Sequence, residues 1–184
     1  MQITQPALVL IDVQREYFDP ASPLVIPDGP AVLDRLAGLL GTARAAGVAI
    51  IHVRHEEAPG TGVFEPGSDN AAIVDQVAPA AGEPTILKHL PSAFDGTNLD
   101  TILEDIGTRT LVIGGFMTHM CCDSTARSAQ ARGFDVVFLA DGTATRDLVA
   151  PSGRTIPHDQ VHEATLAAQA DGFSDVRPVA DISW

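Results

Sequence analysis

Cysteine is almost absent from this chain: there are two in 184 residues, and they are adjacent. Adjacent cysteines cannot build a disulfide framework, and a bridge between such neighbours would be strained. A reducing, cytoplasmic setting is therefore the default expectation. Positive charge is also scarce, with 11 Lys and Arg against 24 Asp and Glu and a formal net charge of −13. That balance argues against a nucleic-acid surface and against an anionic membrane patch. No apolar run approaches the length that crosses a bilayer, and the opening MQITQPALVLIDVQ has neither a basic n-region nor a small-residue cleavage site. Repeats, linkers and low-complexity segments are missing too. A hydrophobic fraction of 45% makes disorder a poor reading, and 184 residues suffice for a single domain spanning 1–184 with a sizeable core.

What is present alternates between strand and helix patterns. Ala7 to Ile11 is an apolar run ending at Asp12, as expected for a central parallel strand with a carboxylate at its C-terminal end. Pro30 to Ala46 carries Val32, Leu33, Leu36, Leu39 and Leu40 at helical spacing, with Asp28 as cap and Gly47 as stop. Val48 to Val53 reads as a second strand. Residues 55–70, rich in glycine, proline and acid, form a loop of a length that is usually functional. Thr85 to Lys88 is a third strand, and Leu99 to Ile106 a short helix capped by Thr97 or Asn98. A strand around Leu111 to Ile113, a helix ending at Gly133, a strand at Asp135 to Leu139, a helix from His158 to Ala170 and a last strand within Phe173 to Val179 complete the series. The expected architecture is α/β: a doubly wound, three-layer α/β/α domain around a mostly parallel six-stranded sheet.

In such sheets ligands bind beyond the carboxyl ends of the strands. Asp12, Lys88 and the turn from Gly114 to Cys121 all fall there. Gly114 and Gly115 permit a sharp turn and a close backbone approach. Cys121 and Cys122 are expected to open the following helix, where unpaired N–H groups and the helix dipole favour thiolate, the nucleophilic form. The alternative for the thiols is a small apolar filler. Asp12 read alone is equally a cap for a neighbouring helix, and Lys88 read alone a surface cation. Together an acid, an amine and a thiol suit acyl transfer, with the carboxylate taking the thiol proton and the amine stabilising negative charge.

LVLIDVQREYF, TILKHLPSAFDGTNLD and TLVIGGFMTHMCCDSTARSAQARGF, in that order, resemble the isochorismatase-like cysteine hydrolase superfamily, over nearly the whole chain from Ala7 to about Val179. The resemblance implies a catalytic triad of Asp12, Lys88 and Cys121, with Cys122 as packing where relatives carry a small apolar residue. It also implies a cis peptide at Phe116–Met117 and an oxyanion site formed by the N–H groups of Met117 and Cys121. The implied activity is hydrolysis of a C–N bond in a small amide, ureido or imide substrate through a thioester on Cys121. The alternatives are an isochorismatase-type vinyl ether hydrolase and, from another class, a thiol redox protein that would need neither Asp12 nor Lys88.

Nicotinamidases of this superfamily carry an Asp-x-His metal motif, whereas the corresponding IHVRHEEAPG holds His52, Arg54 and His55 without it. No catalytic metal and no cofactor are expected. His52 reads as a satisfied core or interface residue, and His158 and His162, four apart, as surface histidines lacking a third ligand. Phe18, Phe94 and His119 are expected to line the substrate pocket, with Phe116 as a further wall and Tyr17 and Phe64 as weaker ones. The expected partners are a small-molecule substrate and further copies of the chain, as a dimer or larger homo-oligomer, with no nucleic acid and no membrane.

Overall fold

The computed structural model describes residues 1–184. Its sheet has six strands in the order β3-β2-β1-β4-β5-β8: β1 (Pro6–Ile11), β2 (Ala49–His55), β3 (Thr85–Lys88), β4 (Thr110–Phe116), β5 (Asp135–Ala144) and β8 (Asp175–Arg177). Every neighbouring pair is parallel. A separate two-residue antiparallel hairpin, β6 (Leu148–Val149) with β7 (Thr155–Ile156), follows β5.

The period of two along β1 divides the core. Leu8 and Leu10 point to one face, where they join Leu36, Leu39 and Leu40 of α1 (Gly29–Ala45). Ala7, Val9 and Ile11 point to the other, where they join Leu99 and Leu103 of α2 (Leu99–Asp105) and Ala126 and Ala129 of α3 (Asp123–Ala131). Leu166 of α4 (His158–Gly172) packs on that second cluster. Helices on both faces explain why β1 and β4 are almost wholly buried and largely apolar. Truncating a residue as buried as Leu36 to Ala costs about 2–5 kcal/mol.

Small differences from the sequence reading have local causes. Asp28 caps α1 without a side-chain hydrogen bond. Thr97 is the side chain serving α2, accepting from the Leu99 N–H at 3.2 Å. β5 runs on to Ala144, because after a register shift opposite Ile113 and Gly115 its residues Thr143 and Ala144 pair with Gly115 and Phe116. No helix is long and apolar enough to cross a membrane.

Candidate active site

The chain winds from β1 outward to β2 and β3, then returns to place β4 on the other side of β1. Asp12 leaves β1 and the 116–122 turn leaves β4, so both sit at the point where the winding reverses, the usual ligand crevice of such sheets. Lys88 ends β3, and its side chain reaches back over β2. Asp12 adopts φ +50°, a left-handed conformation that aspartate tolerates better than most residues. Its N–H donates to the Val53 carbonyl at 2.9 Å.

Two glycines make room for this junction. A Cβ on Gly115, at φ +125°, would lie 2.0 Å from the Ile11 carbonyl oxygen. One on Gly114 would lie 2.7 Å from a Leu36 methyl. The Phe116–Met117 peptide that follows is cis. Thr118–Cys122 then forms one π-helical turn, and α3 begins only at Asp123.

Lys88 brings the three predicted residues together. Its Nζ lies 2.7 Å from Asp12 Oδ2, 3.3 Å from Cys121 Sγ and 3.3 Å from His55 Nδ1. The side chains of Asp12 and Lys88 are both fully buried. At 2.7 Å the Lys88 ammonium is the charged partner of Asp12 in a buried ion pair. Burial pushes the Asp12 carboxyl above its ordinary value, and Lys88 offsets part of that rise. Burial pulls the Lys88 ammonium down, yet Asp12 and Cys121 outweigh it and leave Lys88 above its ordinary value.

The expectation of a resting thiolate is corrected. Burial, then the charge of Asp12, push the Cys121 thiol up to about 12, against the opposing influence of Lys88. The π turn separates Cys121 from the start of α3, and the adjacent carboxylate disfavours a second negative charge. The resting pair is thus a thiol beside a carboxylate of raised basicity. Cys122 is fully buried, in the same apolar cluster as Ala126, Ile113 and Phe138.

A pocket of about 290 Å³ opens onto Cys121, walled by Tyr17, His55, Phe64, Met120 and Arg146 among others. Phe18, Phe94 and His119, expected there, do not line it. Arg15–Tyr17 forms a 3₁₀ turn that sends Tyr17 toward the pocket and Phe18 away from it, edge-on to Phe116 at 5.6 Å between ring centroids. Phe116 itself is buried between those two rings. Phe94 stacks on Phe134 under the Arg132 guanidinium, in the opposite core. His119 turns aside to Thr145, with Nδ1 2.6 Å from Oγ1.

Sequence reasoning missed His55 and Arg146. His55 was weighed only as a metal ligand, although it ends β2 as Lys88 ends β3, and the two are register partners. Arg146 carries a buried Nε with no hydrogen-bond partner. Two side chains near Asp12 anchor the pocket wall. Gln14 Nε2 donates to the carbonyls of His55 and Ala71, both at 2.8 Å, while its Oε1 accepts from the His55 N–H at 2.7 Å. Glu16 accepts from the Phe64 N–H at 3.1 Å and from Ser22 Oγ at 2.6 Å.

His89 also lines the pocket, and three other histidines are engaged elsewhere. His52 is buried against Glu83 at 2.9 Å, His158 lies between Asp147 and Asp28, and His162 Nδ1 is 2.9 Å from Thr118 Oγ1. No three His, Cys, Asp or Glu residues converge in a geometry that could hold a metal ion.

Known proteins share this arrangement of elements. The model of the isochorismatase domain matches residues 6–180. The secreted isochorismatase effector Isc1 of Verticillium dahliae is 36% identical over 96% of this chain and 89% of its own length. Maleamate amidohydrolase of Pseudomonas putida is 30% identical over 94% of this chain and 82% of its own. A crystal structure of an isochorismatase hydrolase from Oleispira antarctica superposes with a TM-score of 0.91 at 37% identity, covering 98% of this chain and 97% of that one. Matched along almost its whole length in both sequence and fold, the chain belongs to the isochorismatase family of hydrolases.

Proposed function

We propose that the chain is a cysteine hydrolase that cleaves a C–N bond of a small amide, ureido or imide substrate through a thioester on Cys121. The observation that carries this reading is the buried Lys88 ammonium, in contact with both the Asp12 carboxylate and the sulfur of Cys121, which lines a small pocket. Relatives that act on amides, such as the maleamate amidohydrolase, support the same bond class.

In this mechanism Asp12 takes the proton from Cys121 as the sulfur attacks the carbonyl carbon, so that charge passes from carboxylate to carbonyl oxygen without a free thiolate at rest. The raised basicity of Asp12 and the reluctant thiol match this concerted transfer. The N–H groups of Met117 and Cys121 receive the oxyanion. Protonated Asp12 returns its proton to the leaving nitrogen, the C–N bond breaks, and the acyl group remains on sulfur. A water molecule then gives its proton to Asp12 and attacks the thioester. Collapse of the second tetrahedral intermediate releases the acid and restores the thiol. Arg146, the pocket's guanidinium, is the group for a polar or anionic oxygen of the substrate.

Intact-protein mass spectrometry with a panel of small amides and a cysteine-directed alkylator tests the assignment. An acyl or alkyl adduct present in wild type and in Cys122→Ala, and absent from Cys121→Ala, is the expected result. Labelling that follows Cys122, or hydrolysis undiminished in Asp12→Asn, overturns it.

A further inference from the structure

An ammonium has three N–H groups and cannot accept. Two of Lys88's neighbours are the carboxylate and the sulfur of the site; the third is His55 Nδ1 at 3.3 Å. That nitrogen must therefore be the bare one, and the ring proton must sit on Nε2, which donates to Glu57 Oε1 at 2.9 Å. The imidazole is held in every other respect as well. Gln14 grips the His55 peptide through both its N–H and its carbonyl. Phe64 packs edge-on against the ring at 5.4 Å between centroids and 87° between planes.

We propose that His55, its tautomer set by Glu57, is a positioning residue that takes one N–H of Lys88 and so directs the other two at Asp12 and Cys121. The proposal rests on the roles assigned above to Asp12, Lys88 and Cys121. Without the Nδ1 acceptor, one N–H of a buried ammonium is stranded away from water. Lys88 then either tilts toward that vacated side or holds its charge less well, and either change weakens its support for negative charge on Cys121.

The test needs no substrate, because the readout is the rate at which iodoacetamide modifies Cys121 in a Cys122→Ala background between about pH 6 and pH 10. Lys88→Met and Asp12→Asn serve as references. If both alkylate as the parent does, the triad assignment itself fails. With the references altered, His55→Leu is expected to alkylate roughly tenfold more slowly near neutral pH, with its profile displaced to higher pH. His55→Asn places an amide oxygen near the former Nδ1 and should restore most of the rate, with Glu57→Ala falling between. Equal loss in Leu and Asn variants would mean that His55 only fills space, and an unchanged Leu variant would mean that it does nothing for Lys88; either outcome overturns the proposal. Should His55→Leu not fold, ¹⁵N spectra of the parent protein decide the matter. A bare Nδ1 and a protonated Nε2 at His55 are required, and the opposite tautomer refutes the arrangement.

Discussion

Replacing Lys88 by Met removes a charge while nearly keeping a shape, so it isolates the ion pair. Both side chains of the pair are fully buried, 2.7 Å apart. Breaking a buried pair by deleting one partner costs about 3–5 kcal/mol, because the other charge is left without compensation. Asp12 can escape part of that cost by binding a proton. Burial already holds its carboxyl above the ordinary 3.8, and Lys88 is the chief influence pulling it back down. Loss of Lys88 sends it higher still. A carboxyl whose folded-state pKa exceeds its unfolded value binds more protons when folded, so the stability it contributes is present at low pH and is lost as pH rises through the folded value. The variant's deficit relative to wild type should therefore be small near pH 4.5 and grow to about 3–5 kcal/mol near pH 7.5, each unit of displacement being worth about 1.4 kcal/mol. Urea unfolding followed by far-ultraviolet circular dichroism at both pH values measures it. Adding Asp12→Asn to Lys88→Met removes the stranded charge and should recover much of the loss at the higher pH. A deficit equal at the two pH values, or none near pH 7.5, would refute the view of Asp12 as a carboxyl held in its ionised form mainly by Lys88.

Other expectations follow from single contacts. Gly115→Ala sets a Cβ against the Ile11 carbonyl at a backbone angle that L residues avoid, and should cost more than about 3 kcal/mol in chemical denaturation. Glu16→Ala frees the Phe64 N–H, so that amide should lose hydrogen-exchange protection while the amides of β1 keep theirs. Arg146→Gln should raise KM for an oxygen-bearing amide substrate with little change in kcat, since it deletes a binding contact made equally in ground and transition states. Light scattering should give a mass that is a multiple of the 19.3 kDa chain, and a clean monomer at micromolar concentration would refute the expected homo-oligomer.

The frame of the fold was readable because its strands are short apolar runs that stop abruptly at polar residues. Asp12 and Lys88 mark the ends of β1 and β3 in the sequence as plainly as in space. Positions that depend on a partner elsewhere in the chain were less legible. DGTA after Leu139 looks like a loop, and becomes strand only because Gly115 and Phe116 lie alongside to pair with Thr143 and Ala144. Cys121 looks like a helix N-terminus, but a π turn intervenes. Neighbouring Tyr17 and Phe18 cannot be told apart as pocket walls by type, since a single turn of backbone decides which ring faces the thiol. His55 was hidden by its own versatility. A histidine at a strand end suits a metal, a proton or a hydrogen bond, and only the 3.3 Å approach of Lys88 selects among them.

The anchoring of Gln14 and Glu16 separates two kinds of evolutionary freedom. Within five residues of β1's end, one side chain meets Lys88, the next but one secures the end of β2, and the next but one again secures the backbone at Phe64. The 56–70 segment is tethered from Glu16 through a main-chain atom, the Phe64 N–H, while Glu56, Glu57 and Asn70 of that segment are held by their side chains. Its other outward residues can therefore be exchanged, reshaping what the cavity admits, while the spacing between wall and thiol stays fixed. A scaffold built in this way can change its diet by point substitution without re-engineering its teeth.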